Sequence, residues 1–245
     1  MTRSDNSLHP EAATPAVAIV TGASRGLGRA VAAALLDRGW TVAADARRAA
    51  ELQSTATTLN STRLIALPGD VTDAAHRSAL VSAAVDAGPL RLLVNNASRL
   101  GPSPQPALAG YPLADLQAVY DTNVFAALAL IQQALPALIA NGGLVVNVTS
   151  DAAVEPYPGW GGYGSSKAAL DQLSAILAAE IPAVPVYAFD PGDMRTEMHQ
   201  AAFPGEDISD RPEPESVVPA LLQLIDTRPA AGRYRAADLT VATAH

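Results

Sequence analysis

From residue 16 onward, short apolar runs alternate with longer alanine- and leucine-rich stretches. The runs at 16–20, 41–44, 64–67, 92–95, 144–149 and 184–189 carry no charge and read as β-strands. Their apolar positions are consecutive rather than alternating. Strands of that kind are buried on both faces, as in a parallel sheet with helices on each side. A weaker seventh strand is expected near 239–241. The segments 29–38, 73–86 and 113–140, and the stretch after Gly162, have the length and composition of helices. Right-handed crossovers then give an α/β fold: a doubly wound, mostly parallel seven-stranded sheet flanked by helices. No repeat or linker interrupts residues 16–245, which are expected to form one domain. Residues 1–15 are polar and read as a flexible tail. The one long irregular stretch, about 193–214, holds Phe203-Pro204-Gly205 and Arg211-Pro212-Glu213-Pro214 and reads as a lid.

Composition narrows the chemistry. A hydrophobic share of 49% over 245 residues is enough for a sizeable core. The chain has no cysteine, and its four histidines (His9, His76, His199, His245) show no ligand spacing, so no metal site is expected. A formal charge of -8 argues against a nucleic-acid partner, which needs a basic stripe. No apolar run is expected to reach a membrane span, and the first fifteen residues lack the apolar core of a signal peptide. A cytoplasmic protein is expected.

Two local patterns carry chemistry. The first strand runs into Thr21-Gly22-Ala23-Ser24-Arg25-Gly26-Leu27-Gly28, followed by a helix. Glycines in such a turn let the backbone approach a pyrophosphate at the positive helix N-terminus. The second pattern is Tyr163-Gly164-Ser165-Ser166-Lys167, which contains the only lysine of the chain. In a helix, residues four apart share a face. An ammonium beside a phenol stabilises the phenolate and is expected to lower its pKa from about 10.

Taken in order, these and further motifs resemble the short-chain dehydrogenase/reductase family over nearly the whole chain from residue 16. Asp70-Val71 follows strand three, Asn95-Asn96-Ala97-Ser98 closes strand four, and Asn123 falls in the fourth helix. Ser150 stands thirteen residues before Tyr163, and Pro191-Gly192-Asp193-Met194-Arg195-Thr196 follows strand six. The resemblance implies a single-domain Rossmann oxidoreductase acting on a small-molecule carbonyl or alcohol. It implies catalytic roles for Asn123, Ser150, Tyr163 and Lys167. Tyr163 would be the general acid or base, Lys167 would tune it and hold the nicotinamide ribose, Ser150 would bind the substrate oxygen, and Asn123 would position a water. It implies cofactor contacts from Gly22, Ser24, Arg25, Gly26, Leu27, Gly28, Asp70, Val71, Asn96, Ala97, Tyr163, Lys167, Pro191, Gly192, Met194 and Thr196. Ser98 departs from the family's glycine. Asp190 stands where small or apolar residues are common, and either faces substrate or bonds a local amide.

Counted from Gly39 by the spacing of the family it resembles, the tip of strand two falls on Ala46, with Arg47 next. Arg25 and Arg47, without a carboxylate at the tip, suit a 2′-phosphate and so NADP(H). By strand alternation Asp45 should point away. In the alternative reading Asp45 binds the ribose and the cofactor is NAD(H). Family members that reduce carrier-protein thioesters commonly show basic residues near the end of helix four and after helix five; this chain has Asn141-Gly142-Gly143 and Ile181-Pro182-Ala183-Val184 there, with no cation, so the resemblance favours a free carbonyl or alcohol. A carrier-protein 3-oxoacyl reductase and a non-catalytic NADP-binding regulatory protein remain alternatives on the same fold. The resemblance, with apolar fourth and fifth helices, also implies a homotetramer or homodimer.

Overall fold

The structure, a computed structural model, describes residues 14–239. The expected tail at 1–15 lies almost wholly outside them. Among the described residues seven strands form one sheet: β1 Val17–Val20, β2 Thr41–Ala46, β3 Leu64–Pro68, β4 Leu90–Asn95, β5 Leu144–Val148, β6 Val186–Asp190 and β7 Gly232–Arg235. Their order is β3-β2-β1-β4-β5-β6-β7, and every pairing is parallel. The order reverses between β1 and β4. A ligand crevice is expected there, outside the carboxyl ends of the strands.

Strand parity splits the core in two, because successive side chains leave opposite faces. Ala18, Val20, Val42, Ala44, Val94 and Val146 pack on α1 (Gly26–Asp37) and α8 (Val218–Thr227). Val17, Ile19, Ala43, Leu93 and Val145 pack on α3 (Ala74–Ala87) and α5 (Ala126–Ala140). The remaining helices are α2 (Ala49–Leu59), α4 (Leu113–Tyr120), α6 (Gly161–Glu180), α7 (Glu197–Ala202) and α9 (Ala236–Leu239).

Four expectations need correction. The seventh strand is Gly232–Arg235, and Leu239 ends α9 instead of opening a strand; Val241 lies outside the described residues. The helix expected at 113–140 is divided by a π turn, Asp121–Phe125, between α4 and α5. That same run, Leu113–Ala140, is 28 residues with mean hydropathy 1.7, long and apolar enough to cross a membrane by length and composition. Its apolarity has another cause: Leu130, Ile131, Ala134 and Leu138 are buried against the sheet. Finally, the lid stretch is not all irregular, since α7 forms inside it with Thr196 capping its N-terminus through the His199 N–H at 3.1 Å.

Candidate active site

The turn after β1 is built for close approach. Gly22 and Gly26 hold φ of +66° and +53°, which glycine adopts without the Cβ penalty. The Thr21 hydroxyl accepts the N–H groups of Asn96 and Ala97 at 3.0 and 2.9 Å, tying the end of β4 to the turn. Asn96 Nδ2 donates back to the Thr21 carbonyl at 2.8 Å. A Cβ on Gly28 would stand 2.4 Å from that nitrogen, so Gly28 makes room for the clamp and does not itself face the cleft. Arg25, at the N-cap of α1, gives no side-chain cap. No side chain at the N-cap therefore competes for the first N–H groups of the helix, the part of a helix that suits an anion.

A cleft of about 450 Å³ runs from this turn across the ends of β1, β4 and β5 to α6 and α7. Gly22, Ser24, Arg25, Gly26 and Leu27 line one end, with Arg47 and Val71. Arg25 pairs with Glu197 of α7, and Arg48 with Glu51. Burial, then the neighbouring Arg48 and Arg47, lower the Arg25 pKa against the pull of Glu51. Asp45 is turned away from this cationic corner: it accepts the Gly22 N–H at 2.9 Å and meets His76 Nε2 at 3.0 Å. Asp70 stands off the cleft wall. Its Oδ1 accepts both the N–H and the hydroxyl of Thr72, at 2.9 and 2.8 Å.

At the other end Asn96, Ala97, Ser150, Tyr163 and Lys167 share the wall with Pro191, Gly192, Met194 and Thr196. Tyr163 and Lys167 lie one turn apart on α6. Lys167 is buried and donates to the Val148 carbonyl at 2.7 Å. Burial pushes its pKa down to about 8, with Asp171 opposing. Burial pushes the Tyr163 phenol up. Asp190 and Asp151 add to that, and the hydroxyls of Ser98 and Ser150 oppose it. A phenol acidified by Lys167 is therefore not what the geometry gives. The ammonium faces the ring, 5.5 Å from its centroid, and its hydrogen bond goes to backbone.

Asn123 sits in the π turn, buried and off the cleft wall. Its Oδ1 accepts from the Arg99 N–H (2.7 Å) and the Ser98 hydroxyl (3.2 Å). Its Nδ2 donates to the Arg99 carbonyl (3.0 Å) and Ser166 Oγ (2.9 Å). Those four bonds use the whole capacity of the amide. Any water it positions must be held by its main chain. The Ser150 hydroxyl donates to Asp151 Oδ1 at 2.9 Å, and Asp151 Oδ2 accepts from Tyr157. Asp190 bonds a local amide, Gly192 N–H at 3.0 Å, and Arg233 at 2.8 Å.

The model of the family described as short chain dehydrogenase matches residues 16–207. The chain belongs to this family. Among its relatives, a serine 3-dehydrogenase of Rhizobium radiobacter is 36% identical over 183 residues, 73% of this chain and 72% of its own. The sepiapterin reductase of Mus musculus is 36% identical over 202 residues, 76% and 77% of the two chains. A short-chain dehydrogenase of Shigella flexneri 2a strain 301, solved in complex with NADP, superposes with a TM-score of 0.84. It is 28% identical and covers 90% of this chain and 96% of its own.

The present chain also carries site features that its sequence did not reveal. Arg233, on the unforeseen β7, bridges Asp190, Asp171 (3.1 Å) and the Ser150 carbonyl (3.0 Å). Trp160 packs edge-on against Tyr163 at 5.7 Å and tilted against Phe203 at 5.8 Å, so the 193–214 stretch meets the candidate acid through one indole. The Asp151 contact was next in sequence to Ser150 and could have been suspected. Nothing local marks the Asp45–His76 contact, whose members are 31 residues apart.

Proposed function

We propose that the protein is an NADP(H)-dependent oxidoreductase that moves a hydride between nicotinamide and the carbonyl or alcohol of a small molecule. One observation carries this reading: Tyr163, Lys167 and Ser150 meet on a single wall that continues into the uncapped glycine turn. The residues suit a dinucleotide, with helix N–H groups for the pyrophosphate, Arg25 and Arg47 for a 2′-phosphate, and Pro191 to Thr196 beside the nicotinamide end. The NADP held by the Shigella flexneri relative supports that cofactor. The relatives named for serine and for sepiapterin support a small-molecule substrate.

The cofactor, when bound, supplies or accepts the hydride. The chain does the rest. Tyr163 keeps its proton because burial disfavours the phenolate, which suits a donor to the substrate oxygen in reduction. Lys167, with a pKa of about 8, is cationic at neutral pH and sits where a ribose hydroxyl can take its free protons. Ser150 turns its hydroxyl from Asp151 to the substrate oxygen as negative charge grows there. Asn123 fixes the Arg99 backbone and the side chain of Ser98, which lines the site. Trp160, Leu100 and Met198 give the substrate end an apolar floor. NADPH oxidation assayed against aldehydes, ketones, quinones and β-keto esters tests the reading. Turnover of one class is expected. Tight NADPH binding with no turnover across the panel would favour the non-catalytic reading.

A further inference from the structure

The second strand carries an acid, Asp45, one residue before its end and within the dinucleotide end of the cleft, yet the carboxylate is 1% exposed and turned inward. One oxygen accepts the Gly22 N–H at 2.9 Å, and the other meets His76 Nε2 at 3.0 Å. His76 stands in the first turn of α3 with 10% of its side chain exposed. Its ring lies over Gly69, where a Cβ would come within 2.1 Å of Nδ1. The imidazole is thus pinned between the end of β3 and the end of β2. The hydrogen bond to Asp45 raises its pKa, and burial opposes this. The charges of Asp45, Asp73 and Asp70 then add to the rise. A lone carboxylate at this place would set a negative charge behind the turn that receives the pyrophosphate. It would also stand beside the arginines that would receive a 2′-phosphate, and like charges at close range repel strongly where water is scarce.

We propose that His76 is a specificity-determining residue of the cofactor site: its contact holds Asp45 against the glycine turn and offsets its charge. A chain whose second strand carries an acid can thereby accept a 2′-phosphate. The inference rests on the NADP(H) reading above. His76 touches neither substrate nor cofactor and acts through Asp45.

The test is the ratio of NADPH to NADH dissociation constants, read from nicotinamide fluorescence on the full chain. The proteins compared are wild type, His76→Gln, Asp45→Asn and the double variant. A wild type that prefers NADH refutes the NADP(H) reading and this inference with it. With NADPH preferred in wild type, His76→Gln should cut that preference by roughly tenfold or more. The double variant should regain it, because the charge to be offset is gone. Equal weakening of both cofactors in His76→Gln, or an unchanged ratio, overturns the inference and leaves the NADP(H) reading standing. So does a double variant as impaired as His76→Gln. Should His76→Gln fail to fold, Asp45→Asn decides: NADPH preference holds or rises if the inference is right, and a swing toward NADH overturns it.

Discussion

Lys167 presents its ammonium to the face of the Tyr163 ring at 5.5 Å and gives its hydrogen bond to the Val148 carbonyl. The phenol and the ammonium are coupled by position on α6 and not by a direct bond. Tyr163→Phe removes only the hydroxyl. Turnover of a substrate is expected to fall by about 10²-fold or more with NADPH affinity nearly unchanged. Steady-state kinetics beside a binding titration checks it, and wild-type turnover in Tyr163→Phe would end the assignment of the acid. Lys167→Arg should be impaired as well, because a flat guanidinium does not fit a site only 2% exposed.

Arg47 is exposed at the cationic corner of the cleft. A guanidinium bonded to a phosphate is worth about 1.5–3 kcal/mol, so Arg47→Asp should move preference toward NADH by roughly tenfold or more. Cofactor titration measures this directly. No change in the ratio would assign the 2′-phosphate to other residues.

Arg233 holds two carboxylates, Asp190 and Asp171, together beneath the site. Arg233→Met leaves both without their cation. Breaking a fully buried pair costs about 3–5 kcal/mol, and Arg233 is 25% exposed, so a loss at or below the lower end is expected. Urea denaturation reads it. A midpoint equal to wild type would show that solvent already screens the three charges.

The His76 imidazole has a folded pKa above its ordinary 6.5. A raised value means the folded state holds the proton more tightly than the unfolded chain. The resulting stability is complete below about 6.5 and is lost as pH rises through the folded value. The gap in urea midpoint between wild type and His76→Gln should therefore shrink from acidic to alkaline pH. A gap that widens with pH would reverse the sign argued here.

Leu113, Phe125 and Ile139 stand 79%, 55% and 48% exposed along α4, the π turn and α5. Apolar side chains grouped along one helical run favour burial against a partner, and a second copy of the chain is the expected one. Light scattering at micromolar concentration should report a dimer or tetramer. A monomer would leave that face open to solvent.

Strands β1, β2, β4, β5 and β6 were legible because burial on both faces forces continuous apolar runs, and the half-buried edge strand β3 was legible from its apolar run at 64–67. β7 was not, since its sequence Gly232-Arg233-Tyr234-Arg235 looks like a charged turn. It is an edge strand held by backbone pairing to β6, by the Tyr187–Tyr234 ring contact and by Arg233. The π turn at Asn123 was hidden because it leaves the helical pattern on either side intact. Tyr163 and Lys167 could be placed on one helix face from their spacing. Which atom the ammonium would serve could not, because Val148 reaches it from a different strand. Likewise the arginines of the cationic corner were visible, while the contact that turns Asp45 from them joins elements distant in sequence.

With fifteen arginines and one lysine, the chain offers a lysine-specific protease a single peptide bond, Lys167–Ala168. That bond lies inside the twenty-residue helix α6, with its lysine sealed against β5. A protease needs an extended segment of several residues, so this bond is cut only in molecules whose centre has come apart. Each cut separates Tyr163 from the edge strand β7. Digestion by such an enzyme would thus count global openings one molecule at a time, with no probe attached and no substituted residue.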